Sequence, residues 1–231
     1  ARGLETVKVY EDAIAKQKQL IGNTSGILAS QMGYHKSHKS NNHYIGKDMS
    51  GNDWNRIPDT VGKSVRNVSD LWNLSPADFR KVSAIPDIWD KIYNGGKYDK
   101  SEYLDQYLQL AGTIEELETK LNETLTQTTF DSIYSNFIDT LMDMESSAED
   151  FSENLSEVFM RAMLSNLIGQ KYAQELEKWY NNFADRMKDG TLDEKDREAL
   201  KSEYMGYVEG AIKERDALAS VLGYGSDSSS S

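Results

Sequence analysis

The sequence predicts an all-α fold: about six or seven helices, arranged as helical hairpins with one or two long helices, behind a polar, irregular N-terminal loop region. Three observations carry that expectation. Apolar residues recur at spacings of three and four, strongly so from Ser75 onward. No alternating apolar and polar run is long enough for a strand, and no repeat at a fixed period appears. Only three prolines interrupt the 231 residues, and Ser, Thr or Asp precedes several of the periodic runs.

Taken in order, Leu4, Val7, Tyr10 or Glu11, Ile14 and Lys18 give residues 4–20 helical spacing, one amphipathic helix or the end of a longer one, and Gly22, Asn23 and Gly26 are expected to end it. Residues 30–66 are rich in Ser, Asn, Gly, His and Lys and read as a loop, with Trp54 and Ile57 tucked onto a helix. Leu71 and Trp72 are expected to pack similarly. Ser75-Pro76-Ala77-Asp78 puts an N-cap, a first-position proline and an acid in sequence, opening a short helix. A second short helix, "PDIWDKIY", ends at Asn94-Gly95-Gly96.

Residues 99–127 carry Tyr103, Leu104, Tyr107, Leu108, Ala111, Ile114, Leu117, Leu121 and Leu125, a long helix with late spacing like a coiled-coil seam. Residues 130–144 give another, with Phe130, Ile133, Phe137, Ile138 and Leu141 on one side. Ser147–Asp150 resembles a capping start. The helix after it holds Phe151, Leu155, Val158, Phe159, Met163, Leu167 and Ile168, with a bend expected at Gly169. The period resumes through Tyr172, Leu176, Trp179, Phe183 and Met187. Thr191 with Glu194 reads as a capping box for a last helix, carrying Leu200, Tyr204, Val208 and Ile212 and stopping near Gly223.

Composition removes some chemistry. With no cysteine there is no thiol nucleophile and no cysteine-ligated zinc, and a reducing compartment fits. No apolar run approaches 18 residues, so no bilayer span is expected, and the N-terminus lacks a charged-then-apolar signal pattern. Residues 1–100 carry 15 Lys and Arg against 11 Asp and Glu, a net of +4; residues 101–231 carry 11 against 27, a net of −16. Such an acidic half repels nucleic acid and anionic lipid, and a basic segment can pair with it or with a neighbouring copy. No Walker or dinucleotide glycine loop and no strand-serine-helix elbow is present, so an enzyme is not expected.

Three patterns qualify as candidate sites. "DRMKDGTLDEKD", Asp185–Asp196, is spaced like the second half of a calcium loop: Asp189 at position five, Gly190 at six, Asp193 at nine and Asp196 at twelve. Position three is Met187, which offers no oxygen, and Asp196 is shorter than the usual glutamate. Asp185, Asp189, Asp193 and Asp196 thus make at most a weak metal candidate beside a plain helix-turn-helix corner. His35, His38 and His43 lack ligand spacing, and interleaved lysines repel a cation, so a solvated basic loop is the expectation. The aromatics Phe151, Phe159, Tyr172, Trp179, Tyr180 and Phe183 form a stripe that is either ordinary core or a surface for a partner. No cofactor is expected.

From Phe151 to Gly223 the chain resembles the C-terminal helical part of phage tail tape measure proteins, particularly those of prophages in Bacteroides-like bacteria. The residues are Leu176, Trp179-Tyr180, Phe183-Ala184, Met187, Asp189-Gly190 and Leu192 through Glu194. About a third of the chain is covered, and no active-site signature is included. The resemblance implies a structural role: tail length determination during assembly, residence in the tail tube lumen, and contacts with tube, tip or baseplate and chaperone proteins or other copies. It places the protein in the virion tail after synthesis in the host cytoplasm. The alternatives are a cytoplasmic helical adaptor binding another helical protein through the aromatic stripe, and a weak calcium-responsive module at Asp185–Asp196. The expected organisation is 1–66, an N-terminal helix plus polar loop; 67–223, a helical region; and 224–231, a Ser-rich linker or tail. Ala1 and the ending "GYGSDSSSS" suggest a segment of a longer chain.

Overall fold

A computed structural model describes residues 2–32, 48–94, 101–143 and 153–221, and among them every regular element is helical. The fold is all-α. It divides into two compact units, Ala1–Leu121 and Asn122–Ser231. The expected division at 66/67 falls inside the first unit, because Ile57, Val61 and Val65 share one core with Leu71 and Leu74. The expected starts at Ser147–Asp150 and the 224–231 tail lie outside the described residues.

The first unit opens with α1 (Arg2–Met32), which does not stop at Gly22, Asn23 or Gly26. Ile21 and Leu28 join the core of the unit, and Ile14 is buried on the same face of the helix. Two interior glycines cost about 1 kcal/mol each, less than such burial returns. Both glycines face open space on the exposed side.

The stretch read as loop contains α2 (Gly51–Val61). Ser50 and Asp53 form a reciprocal capping box: the Asp53 amide donates to Ser50 Oγ at 3.2 Å, and the Ser50 amide donates to Asp53 Oδ2 at 2.9 Å. Pro58 lies inside it. Gly62, at φ 68°, closes it in the left-handed conformation that suits glycine, its amide donating to Pro58 O at 2.7 Å.

Three short helices follow: α3 (Val68–Trp72), capped by Asn67; α4 (Pro76–Ser83), capped by Ser75 as expected; and α5 (Pro86–Tyr93). They surround Phe79, which is fully buried. Its ring meets Tyr107 at 4.4 Å, Trp72 at 5.7 Å and Trp89 edge-on at 5.9 Å. Tyr107 belongs to α6 (Ser101–Thr126), whose Leu104, Ala111 and Ile114 complete this core. Trp54 and Trp72 pack against it, half-buried, beside fully buried Ile57 and Leu71.

The second unit begins at Asn122, near the end of α6. Gln127 takes a positive φ of 56°, and a hydroxyl cluster fills the corner. Tyr180 Oη donates to Thr128 O at 2.6 Å, and Thr126 Oγ1 lies 2.8 Å from Asn122 O. Thr129 caps α7 (Phe130–Met142). A continuous helical path then runs through α8 (Glu153–Met163), a π-helical segment (Leu164–Gly169) and α9 (Gln170–Arg186).

The bend expected at Gly169 is this π-helical segment, and the sequence spacing explains it. Met160, Leu164, Ile168, Tyr172, Leu176 and Tyr180 all pack inward, one every four residues. In a regular α-helix each step of four drifts about 40° around the axis. One wider turn takes back about half of the roughly 200° that accumulates over the five steps and keeps the stripe nearer a single face. Gly169 lets α7 come close to the wide turn: a Cβ there would collide with the Tyr134 hydroxyl and lie 2.9 Å from Ile138 Cδ1. Ser165 O accepts from the Gln170 amide and, at 3.3 Å, from Tyr134 Oη.

The last helix, α10 (Glu194–Val221), contributes Val208 and Ala211 to the core, with Tyr204 and Ile212 packed beside them.

Candidate functional site

The corner between α9 and α10 holds the four carboxylates with calcium-like spacing. Helix α9 ends at Arg186, and the Met187 amide donates to Phe183 O and Ala184 O, both at 3.1 Å. Gly190, at φ 85°, turns the chain, its amide donating to Met187 O at 2.9 Å. The helix start differs from the expected Thr191/Glu194 box. Asp193 is the cap: its Oδ1 accepts from the Asp196 amide at 2.7 Å, and its carbonyl accepts from the Arg197 amide at 3.0 Å. An aspartate carboxylate competes well for this position because it also answers the positive end of the helix dipole.

The remaining acids have local roles. Asp196 pairs with Arg186 at 2.5 Å, tying the two helices together, and Asp185 pairs with Lys188 at 2.8 Å. Asp189 is exposed on the turn. Among the described residues no group of three or more His, Cys, Asp or Glu is gathered to hold a metal ion. His35, His38 and His43 lie outside the described residues.

The aromatic stripe separates into different environments. Tyr180 is buried in the hydroxyl cluster with Thr126 and Thr128. Tyr172 packs on Phe137 at 5.7 Å and Tyr207 at 6.4 Å. Trp179 lies 5.1 Å from Tyr204 and 5.7 Å from Phe183, and its indole donates to Leu200 O at 2.8 Å. These rings hold α9 to its neighbours. Phe159 alone among the described members is largely exposed, at 60%, and it has company that the aromatic pattern missed: Val158 at 62% and Leu167 at 56%. Phe151 lies outside the described residues. The signal for this second surface was in the sequence: Phe159, Met163 and Leu167 repeat the four-residue spacing of Met160, Leu164 and Ile168, one residue earlier.

Elsewhere, an open groove of about 520 Å³ at the end of α2 is lined by Pro58, Asp59, Lys63 and Arg66 among others. Lys63 is bound to Asp78 at 2.9 Å. Asp53 is the one buried acid among the described residues. The Lys91 ammonium at 2.7 Å, helped by the Ser50 amide, holds its carboxyl at about 2. Burial raises the Tyr107 phenol to about 12; burial, with Glu203 adding to it, does the same for Tyr207. These groups keep one protonation state near neutral pH, as structural groups do.

The formal charge is divided unevenly. Residues 1–121 hold 16 Lys and Arg against 16 Asp and Glu, whereas residues 122–231 hold 10 against 22, a net of −12. No helix of the described residues is long and apolar enough to cross a membrane. No protein-family model, curated protein or solved structure matches the chain.

Proposed function

We propose that the chain is a non-enzymatic structural and assembly segment of a phage tail tape measure protein, acting in the virion tail through contacts with other tail proteins. The observation that carries the reading is the run Leu176–Glu194, whose family-like residues are those that build the α9–α10 hairpin. Leu176 enters the core, Trp179 bridges to Leu200 and Tyr204, and Asp189-Gly190 makes the turn. The almost wholly helical architecture agrees with it.

Within this reading the segment favours contact over measurement. A ruler gains about 1.5 Å per helical residue only while its helices run end to end. Here α7, α9 and α10 fold back on one another and give up that extension. An in-frame deletion of residues 122–221 from the parent gene is therefore expected to lower the yield of assembled tails without shortening the remainder in proportion. Tails shorter by about 1.5 Å per deleted residue would put the ruler role in this segment. Affinity capture from phage-producing cells should recover tube, tip or chaperone proteins. Recovery of non-tail helical proteins instead would favour the second reading, a cytoplasmic helical adaptor, which the exposure of Val158, Phe159 and Leu167 supports.

A further inference from the structure

Val158, Phe159 and Leu167 leave more than half of their surface in solvent, and half-buried Met163 lies between Phe159 and Leu167 on the same side of the helix. From residue 158 to 167 the face is about 14 Å long. The unit that bears it is acidic, with a net of −12 over residues 122–231. Helix α7, which packs against the π-helical segment and α8, carries Asp131 and Asp139 and no Lys or Arg, and Asp143 follows it; all three are exposed. Over residues 130–143 and 153–169, acids outnumber bases five to one. The one base, Arg161, is bound to Asp139, and Lys171 just beyond is bound to Glu214 at 2.5 Å. The face is thus an apolar strip on a unit of net −12, with Arg161 and Lys171 engaged inside the chain.

We propose that the Val158–Phe159–Leu167 face docks a basic amphipathic helix of a partner protein. Apolar side chains at spacings of three and four meet the strip, and flanking Lys or Arg answer the unit's negative charge. A second copy using the same face would bring two units of net −12 together, and an anionic membrane would be repelled in the same way. The proposal does not depend on the tail reading.

The test is a titration of the whole chain with a labelled helical peptide of Leu and Lys and its Leu and Glu counterpart, followed by fluorescence anisotropy. The Leu and Lys peptide is expected to bind saturably and the Leu and Glu peptide not to bind. The double variant Phe159→Ser/Leu167→Ser, which leaves the charge unchanged, should bind the Leu and Lys peptide about tenfold more weakly, as expected for loss of central apolar anchors. Leu167→Lys, which adds a like charge, should weaken it as well. Unchanged binding by the double variant would mean charge attraction alone and overturn the proposal, as would equal binding of the acidic peptide. A dimer in sedimentation that the double variant dissolves would give the face to a second copy instead. Binding to phosphatidylcholine vesicles that the same variant loses would give it to a lipid surface.

Discussion

Replacing Gly169 by alanine tests the account of the π-helical segment. The added methyl would collide with Tyr134 Oη and sit 2.9 Å from Ile138 Cδ1, both on α7. Ile138 is 2% exposed, so it has little room to move. Overpacking of this kind costs about 1–3 kcal/mol. Pushing the Tyr134 hydroxyl off Ser165 O removes a hydrogen bond contributing about 1 kcal/mol. Against this, alanine gains about 1 kcal/mol of helix propensity over glycine. The net is a loss of about 1–3 kcal/mol. In urea, with a slope of about 2 kcal/mol per molar, the midpoint falls by about 0.5–1.5 M. Combining Gly169→Ala with Tyr134→Phe removes the nearest colliding atom, so the double variant should lose about 1 kcal/mol less than the sum of the singles. Urea unfolding followed by far-UV circular dichroism measures all four corners of that cycle. A Gly169→Ala midpoint at or above that of the parent would refute the close-approach argument.

Other outcomes follow from the same structure. Gly22→Ala, at an exposed helical site with nothing within 4 Å of the added carbon, should stabilise α1 by about 0.5–1 kcal/mol in the same assay. Asp53, held at about 2 against an ordinary 3.8, contributes stability that is fully present above pH 4 and is lost as the pH falls through about 2. Asp53→Asn should flatten that acid limb in a pH series of thermal melts, and an unchanged limb would assign it to other carboxylates. At the α9–α10 corner, calorimetric titration with calcium should give no micromolar heat signal, because Asp193 and Asp196 serve the helix start and the Arg186 pair. Micromolar binding that Asp189→Ala abolishes would make the corner a metal site. Tyr180→Phe should cost about 1–2 kcal/mol by leaving the Thr128 carbonyl without the phenol donor.

Local rules read best where several signals agreed. Ser75-Pro76 carries a cap, a fixed φ and an acid within four residues, and α4 starts there. They read poorly where a distant partner decides. Gly22 and Gly26 look like breakers until Ile14, Ile21 and Leu28 are known to be buried on the other face. The polar composition of residues 30–66 hid α2, whose start is fixed by the Ser50/Asp53 box and whose face is anchored by Ile57 and Val61. The boundary between the units is invisible in sequence because it falls inside one uninterrupted helix. At the candidate surfaces, composition drew the eye to aromatic rings. The distinction between Phe159 and Tyr180 lies in which of two offset stripes α7 and α10 cover, and only packing supplies that.

The four tryptophans are distributed three to one: Trp54, Trp72 and Trp89 precede residue 121, and Trp179 alone follows it. The indole of Trp179 is hydrogen-bonded to Leu200 O across the hairpin and flanked by Phe183 and Tyr204. The second unit therefore contains a built-in optical probe. With the other three changed to phenylalanine, the wavelength and quenching of the remaining emission report one thing, whether α9 and α10 are still closed on each other.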